Sequence, residues 1–149
     1  RSINSHVGAW APMAEQKALA VFLSRTEAIN KYFVHFKAEI NERLQKIYSG
    51  FQLLRKDGFH VDAVSPEAAI YLTIQIDYAG KKTADGKTLT TQADVTSYIL
   101  DEAKLAVVPF YAFGASTGSS WYRLSVGTCK KEEIDEMLGM LKTALQKLS

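Results

Sequence analysis

The stretch RTEAINKYFVHFKAEINERLQKIYSGFQLLRK, residues 25–56, is the part of this sequence from which the fold is read. Apolar residues fall at Ile29, Phe33, Phe36, Ile40, Leu44, Ile47, Phe51 and Leu54. Steps of three and four residues put them on one face of an α-helix. Ser24 and Glu27 form a capping-box pattern that predicts a helix start at Ser24. Gly58 stands just past the last periodic residue as a C-cap, with Arg55 and Lys56 suited to the negative helix end. Such a helix is roughly 48 Å long at about 1.5 Å per residue. A compact 149-residue globule is only about 38 Å across. The helix is therefore expected to pack on more than its own globule.

Working outward, Pro12 sits where a first helical turn tolerates proline, and Ala14 to Leu23 is rich in helix formers. Residues 1–11 read as a loop. Downstream, Ala69 to Asp77 alternates, with Ile70, Leu72, Ile74 and Ile76 on one side, as a half-buried strand does. Tyr78 to Thr90 reads as a polar, mobile loop. Thr91 and Asp94 cap a helix running to about Lys104. Leu105 to Val108 is a short strand ended by Pro109. Phe110 to Ser120 is a loop, and Trp121 to Val126 is a strand with Tyr122, Leu124 and Val126 on one face. Thr128 with Glu132 and Glu133 opens a last helix, which carries Ile134, Leu138, Leu141, Leu145 and Leu148 as its apolar stripe. The order α, α, β, α, β, β, α predicts an α+β fold: a small mixed or antiparallel sheet covered by helices and preceded by one long helix.

Composition narrows the function classes. The 149 residues are 47% hydrophobic and 23% charged, which excludes a disordered or low-complexity chain. Eighteen basic residues against sixteen acidic leave a formal charge of +2, too balanced to argue for nucleic acid or a membrane surface. No apolar run approaches the roughly 18 residues of a membrane span. The first residues lack the apolar core of a signal peptide. The missing initiator methionine reads as processing or as part of a longer chain. One cysteine, Cys129, precludes an internal disulfide and fits a reducing, cytoplasmic setting.

Few residues carry chemistry. His6, His35 and His60 are too far apart for a helical metal pair. Cys129 lies near a helix N-terminus that could lower its pKa, yet no base is marked beside it, and a packing role is favoured. No nucleophile elbow, P-loop or dinucleotide fingerprint is present. Arg123 stands in the strand Trp121-Tyr-Arg-Leu-Ser125, after a loop rich in glycine and serine. It reads either as an arginine on a solvated strand face or as a fork held beside Trp121 to grip a carboxylate. A nucleic-acid module stacking on Trp121, Tyr122 and Arg123 is disfavoured by the charge balance.

Leu105-Ala-Val-Val-Pro-Phe-Tyr-Ala-Phe-Gly114, followed by Trp121-Tyr-Arg-Leu-Ser125, resembles the C-terminal part of class I/II aminotransferases, the fold-type-I pyridoxal-phosphate enzymes of the aspartate aminotransferase kind. Pro66-Glu-Ala-Ala-Ile-Tyr71 resembles an earlier strand of that family. Residues 9–23 are similar to its segment after the cofactor lysine, and the long helix to its connecting helix between domains. The resemblance implies two parts: residues 1–24, the end of a large-domain region, and residues 25–149, the C-terminal small domain with its long N-terminal helix. It implies that Arg123 grips the substrate α-carboxylate and that Phe113 and Gly114 lie near the substrate. The loop His6 to Trp10 is similar to a region near a dimer interface, so a homodimer is implied.

Two departures stand out. Phe110 occupies a place where the family usually has glycine. The family's Schiff-base lysine motif, its N-P-x-G motif and the aspartate that pairs with the pyridine nitrogen have no match. The chain is thus expected to be the C-terminal fragment of an aminotransferase, inactive alone. The parent enzyme would move an amino group between an amino acid, aspartate-like, and a 2-oxo acid. Pyridoxal phosphate would serve that parent and not be held covalently by this chain. The alternative is a free-standing α+β binding or dimerisation module without catalysis.

Overall fold

The computed structural model describes residues 12–149. The expectations for residues 1–11, including the His6 to Trp10 loop, lie outside them. Contacts divide the chain into two compact units, the second being Glu39–Ser149.

Up to Ala38 the described chain is helical. Helix α1 spans Met13–Leu23 with Pro12 as its N-cap. Helix α2 spans Thr26–Lys56. The predicted start at Ser24 is corrected: Ser24 is the C-cap of α1, and its hydroxyl donates to the Val21 carbonyl at 2.7 Å. A hydroxyl spent backwards on α1 cannot cap the next helix.

In the second unit the C-terminal half of α2 buries Leu44, Ile47, Phe51 and Leu54, the stripe read from the sequence. The helix ends as Gly58 predicts. Gly58 takes φ +92°, its N–H donates to Arg55, and the Phe59 N–H donates to Leu54. These paired bonds are a Schellman closure, which satisfies the last carbonyls and turns the chain back toward the sheet.

That sheet has four antiparallel strands in the order β1-β2-β4-β3. They are β1 (Val61–Ala63), β2 (Tyr71–Ile76), β3 (Val108–Pro109) and β4 (Trp121–Ser125). Strand β1 leaves no signal in the sequence, because three residues are too short to show alternation. Strand β3 is shifted from its predicted Leu105–Val108. Pro109 lies inside the pairing, opposite Tyr122, which an edge strand permits because its N–H side needs no partner.

Helix α3 (Gln92–Ala103) and helix α4 (Ile134–Gln146) complete the unit. The α3 start is the predicted one. Thr91 and Asp94 exchange side-chain and backbone bonds in a full capping box. Leu72, Ile74, Ile76, Tyr122 and Leu124 from the sheet join the α2 stripe, Val95 and Ile99 of α3, and Ile134, Leu141 and Leu145 of α4 in one core. The Tyr98 hydroxyl donates to the Ala144 carbonyl at 2.8 Å, tying α3 to α4.

Residues 78–90 depart from the predicted polar loop. Tyr78 and Leu89 are buried, and Lys82 pairs with Thr88 in a small antiparallel bridge. Lys82 and Ser149 exchange two backbone bonds. The polar residues around Asp85-Gly86 form the turn between two anchored arms.

Candidate functional site

Alternation along β2 and β4 sorts side chains to the two faces of the sheet. Leu72, Ile74, Ile76, Tyr122 and Leu124 face the helices and are buried. Tyr71, Thr73 and Gln75 of β2, with Trp121, Arg123 and Ser125 of β4, take the other face. The register sets Arg123 opposite Thr73 on one side and Val108 on the other. Tyr71, opposite Ser125, is then the diagonal neighbour of Arg123.

Below Arg123 in the strand, Tyr122 pins β4 to the core. Its hydroxyl accepts from the Gln92 side chain, and burial pushes the phenol far above its ordinary range. The strand is thereby fixed on its inner face while its outer face stays half-exposed.

After β3, Pro109 leads into a single 3-10 turn, Phe110–Phe113. Gly114 ends it at φ +89°, a left-handed conformation that glycine adopts without Cβ strain. The Gly114 N–H donates to Tyr111 and the Ala115 N–H to Phe110, closing the turn. Phe110 itself is not among the residues of positive φ, so its departure from glycine costs no backbone strain. Beyond the turn, the Gln75 side chain donates to Ser120 Oγ at 2.9 Å and the Ile76 N–H to the Ser120 carbonyl. Those bonds fasten the far end of the loop to β2.

This arrangement brings two rings to Arg123. Its Cζ lies 4.5 Å from the Tyr71 ring centroid and 4.4 Å from that of Phe113. The expected neighbour, Trp121, is not one of them. Successive outward residues of a strand point the same way from sites about 7 Å apart, whereas a cross-strand diagonal and a turn can converge. Among the described residues no carboxylate pairs with Arg123 and none accepts from its side chain. The guanidinium is held as a cation by ring faces, with its N–H fork unspent. Such a fork suits a bidentate bond with a planar carboxylate.

Of the sequence-predicted site residues, Arg123 and Phe113 are thus in contact, and Gly114 shapes the turn that presents Phe113. Tyr71 is the member that sequence reasoning missed as a site residue. Its place on the outer strand face was legible, but its distance from Arg123 depends on a register that no local pattern gives.

The other candidates do not assemble. Burial, with Glu133 beside it, pushes the Cys129 thiol up, against the expectation that a helix N-terminus lowers it. His60 packs edge-on against Tyr78. Among the described residues no group of three or more His, Cys, Asp or Glu side chains could hold a metal. No described helix is long and apolar enough to cross a membrane.

Comparison with known proteins gives concordant results. Residues 2–141 match the family model for aminotransferase class I and II. A probable aspartate/prephenate aminotransferase of Rickettsia felis is 35% identical over 91 residues, covering 60% of this chain and 21% of that protein. An aspartate aminotransferase of Rhizobium meliloti is 36% identical over 90 residues, again 60% of this chain and 21% of that protein. The crystal structure of the aspartate aminotransferase from Rhizobium meliloti superposes with a TM-score of 0.66 at 28% identity, covering 79% of this chain and 28% of that one. The matched regions span about a fifth of these curated relatives.

Proposed function

The chain belongs to the class I and II aminotransferases, and from that premise we propose that it contributes the α-carboxylate-binding arginine, Arg123, to an enzyme moving an amino group from an aspartate-like amino acid to a 2-oxo acid. The observation that carries the reading is the Arg123 guanidinium, held by two rings and paired with no described carboxylate. Binding the α-carboxylate would fix the substrate so that its Cα–H bond is oriented for proton removal, a contribution of position rather than of proton transfer. Phe113 and Gly114, on the turn beside Arg123, would lie near the substrate.

The family works with pyridoxal phosphate, which supplies an electron sink for the carbanion formed at Cα. Holding it requires a lysine for the covalent link, an acid at the pyridine nitrogen and a phosphate cradle. The outer sheet face, with Tyr71, Thr73, Val108 and Phe113 around one arginine, does not fit that set and suits the carboxylate end of a substrate. No residue here is therefore assigned to the cofactor, and the 149 residues by themselves are read as inactive.

The reading divides the chain at residues 24 and 25, between a large-domain end and a small domain introduced by α2. It includes a homodimer and a cytoplasmic setting. The exposed Leu19, Phe22, Phe33 and Phe36 support burial of the early helices in an assembly. The same side chains support the second reading, a binding or dimerisation module without catalysis.

Arg123→Leu in the enzyme is the deciding variant. It is expected to lower kcat/KM for the amino acid by on the order of 2 kcal/mol or more in transition-state stabilisation. An unchanged kcat/KM contradicts the assignment. Turnover of aspartate and a 2-oxo acid by the purified 149-residue chain with pyridoxal phosphate would contradict its inactivity.

A further inference from the structure

An arginine side chain is long and flexible, and a receptor arginine has to be oriented before it can bind two oxygens at once. The usual orienting partner is a carboxylate, which consumes the donors that a ligand would use. Arg123 is held differently. Strand β4 lies between β2 and β3. Tyr71 reaches the guanidinium from β2, and Phe113 from the turn that follows β3. The cation is therefore approached from both flanking strands by ring faces, which attract it without accepting any of its N–H bonds.

The two rings are not explained by the core. Tyr71 is 42% exposed and Phe113 52%, while the residues that hold the sheet to its helices are buried. Each ring is also placed by a local device with a cost. Tyr71 follows Ile70 and Ala69, the latter at φ +63°. Phe113 sits at the end of a 3-10 turn that Gly114 closes.

We propose that Tyr71 and Phe113 are positioning residues: a two-ring clamp that holds the Arg123 guanidinium in one orientation with its donors free, and so makes it a preorganised receptor for the planar α-carboxylate of an amino acid. The proposal rests on the carboxylate-binding reading of Arg123 and adds to it the means by which the cation is aimed. Preorganisation lowers the ordering cost of binding, so loss of either ring weakens the ligand without removing the charge.

The test is a titration of the 15N-labelled enzyme with aspartate, followed at the Arg123 Nε–H resonance and, so that Arg123→Leu is read on the same scale, at the backbone amides of β4. In the wild-type enzyme the Nε–H resonance is expected upfield, from the ring currents, and to move saturably with aspartate. Tyr71→Leu and Phe113→Leu are each expected to lose the upfield shift and to weaken binding about fivefold. Tyr71→Phe and Phe113→Tyr keep a ring and are expected to retain both the shift and the affinity. Because both positions are half-exposed, circular dichroism of all four variants should match wild type. Should a leucine variant fail to fold, the conservative pair and the upfield shift decide. Leucine variants that bind as wild type does, while Arg123→Leu does not bind, overturn the clamp and leave the carboxylate reading intact. Binding unchanged in Arg123→Leu, or no response of the wild-type resonance to aspartate, overturns that reading and the clamp with it.

Discussion

Arg123 illustrates how one side chain acquires meaning from neighbours remote in sequence. Its type and its strand were legible, and so was Phe113 in the loop before it. The ring of Tyr71, 52 positions earlier, was not, because adjacency across a sheet depends on register. Backbone conformation at single residues was equally unevenly legible. Gly58 announces a left-handed turn and adopts it, while Gly114, read only as part of a loop, adopts one as well. Ala69 does so without glycine's freedom, at φ +63° and just before β2. A left-handed alanine is strained by its Cβ, whereas glycine is not but loses more entropy on folding. Ala69→Gly is therefore expected to stabilise the fold by about 0.5 kcal/mol. Urea unfolding with an unchanged m-value checks this, and a lower midpoint would contradict it.

Among the elements, α3 shows the closest agreement between local pattern and structure. Thr91 Oγ1 accepts from the Asp94 N–H, and the Asp94 carboxylate accepts from the Thr91 N–H at 2.8 Å. Thr91→Ala removes one half of this box and is expected to cost about 1 kcal/mol. The backbone bond from Thr91, joined by its hydroxyl, holds the Asp94 carboxyl below its ordinary value of 3.8. A carboxyl lowered by folding stabilises the native state above its unfolded pKa, and that contribution disappears as pH falls through the lower folded value. As pH falls below about 4, stability should drop less steeply in Asp94→Ala than in wild type, in unfolding curves measured over that acid range. Identical slopes would show that the cap does not titrate. Strand β3 and residues 78–90 are the contrasting cases. A two-residue strand containing proline has no pattern of its own. The bridge at Lys82 and Thr88 is held by burial of Leu89 and by Ser149 from the far end of the chain. Neither constraint is local.

At the scale of the whole molecule, the α2 stripe supplies the surface on which the sheet and the other helices close. Phe51 is completely buried within it. Phe51→Ala is expected to cost about 3–5 kcal/mol, since both transfer energy and a cavity are lost. Total stabilities of about 5–15 kcal/mol make that a large fraction, so thermal unfolding should shift downward by many degrees. A shift of only a degree or two would mean that the core repacks around the gap. Family membership and the α+β class followed from the sequence because they rest on periodicity and on a contiguous motif, both recorded in the order of residues. The α2 stripe, the Thr91 cap and the Gly58 turn are of the same kind, being interactions within a few positions of one another. The tertiary structure alone decided the strand order, the shifted register of β3, the direction taken by Ser24 and the rings that meet Arg123. Those depend on which distant segments share a core, and the energy of that choice belongs to the packed whole and to no single stretch.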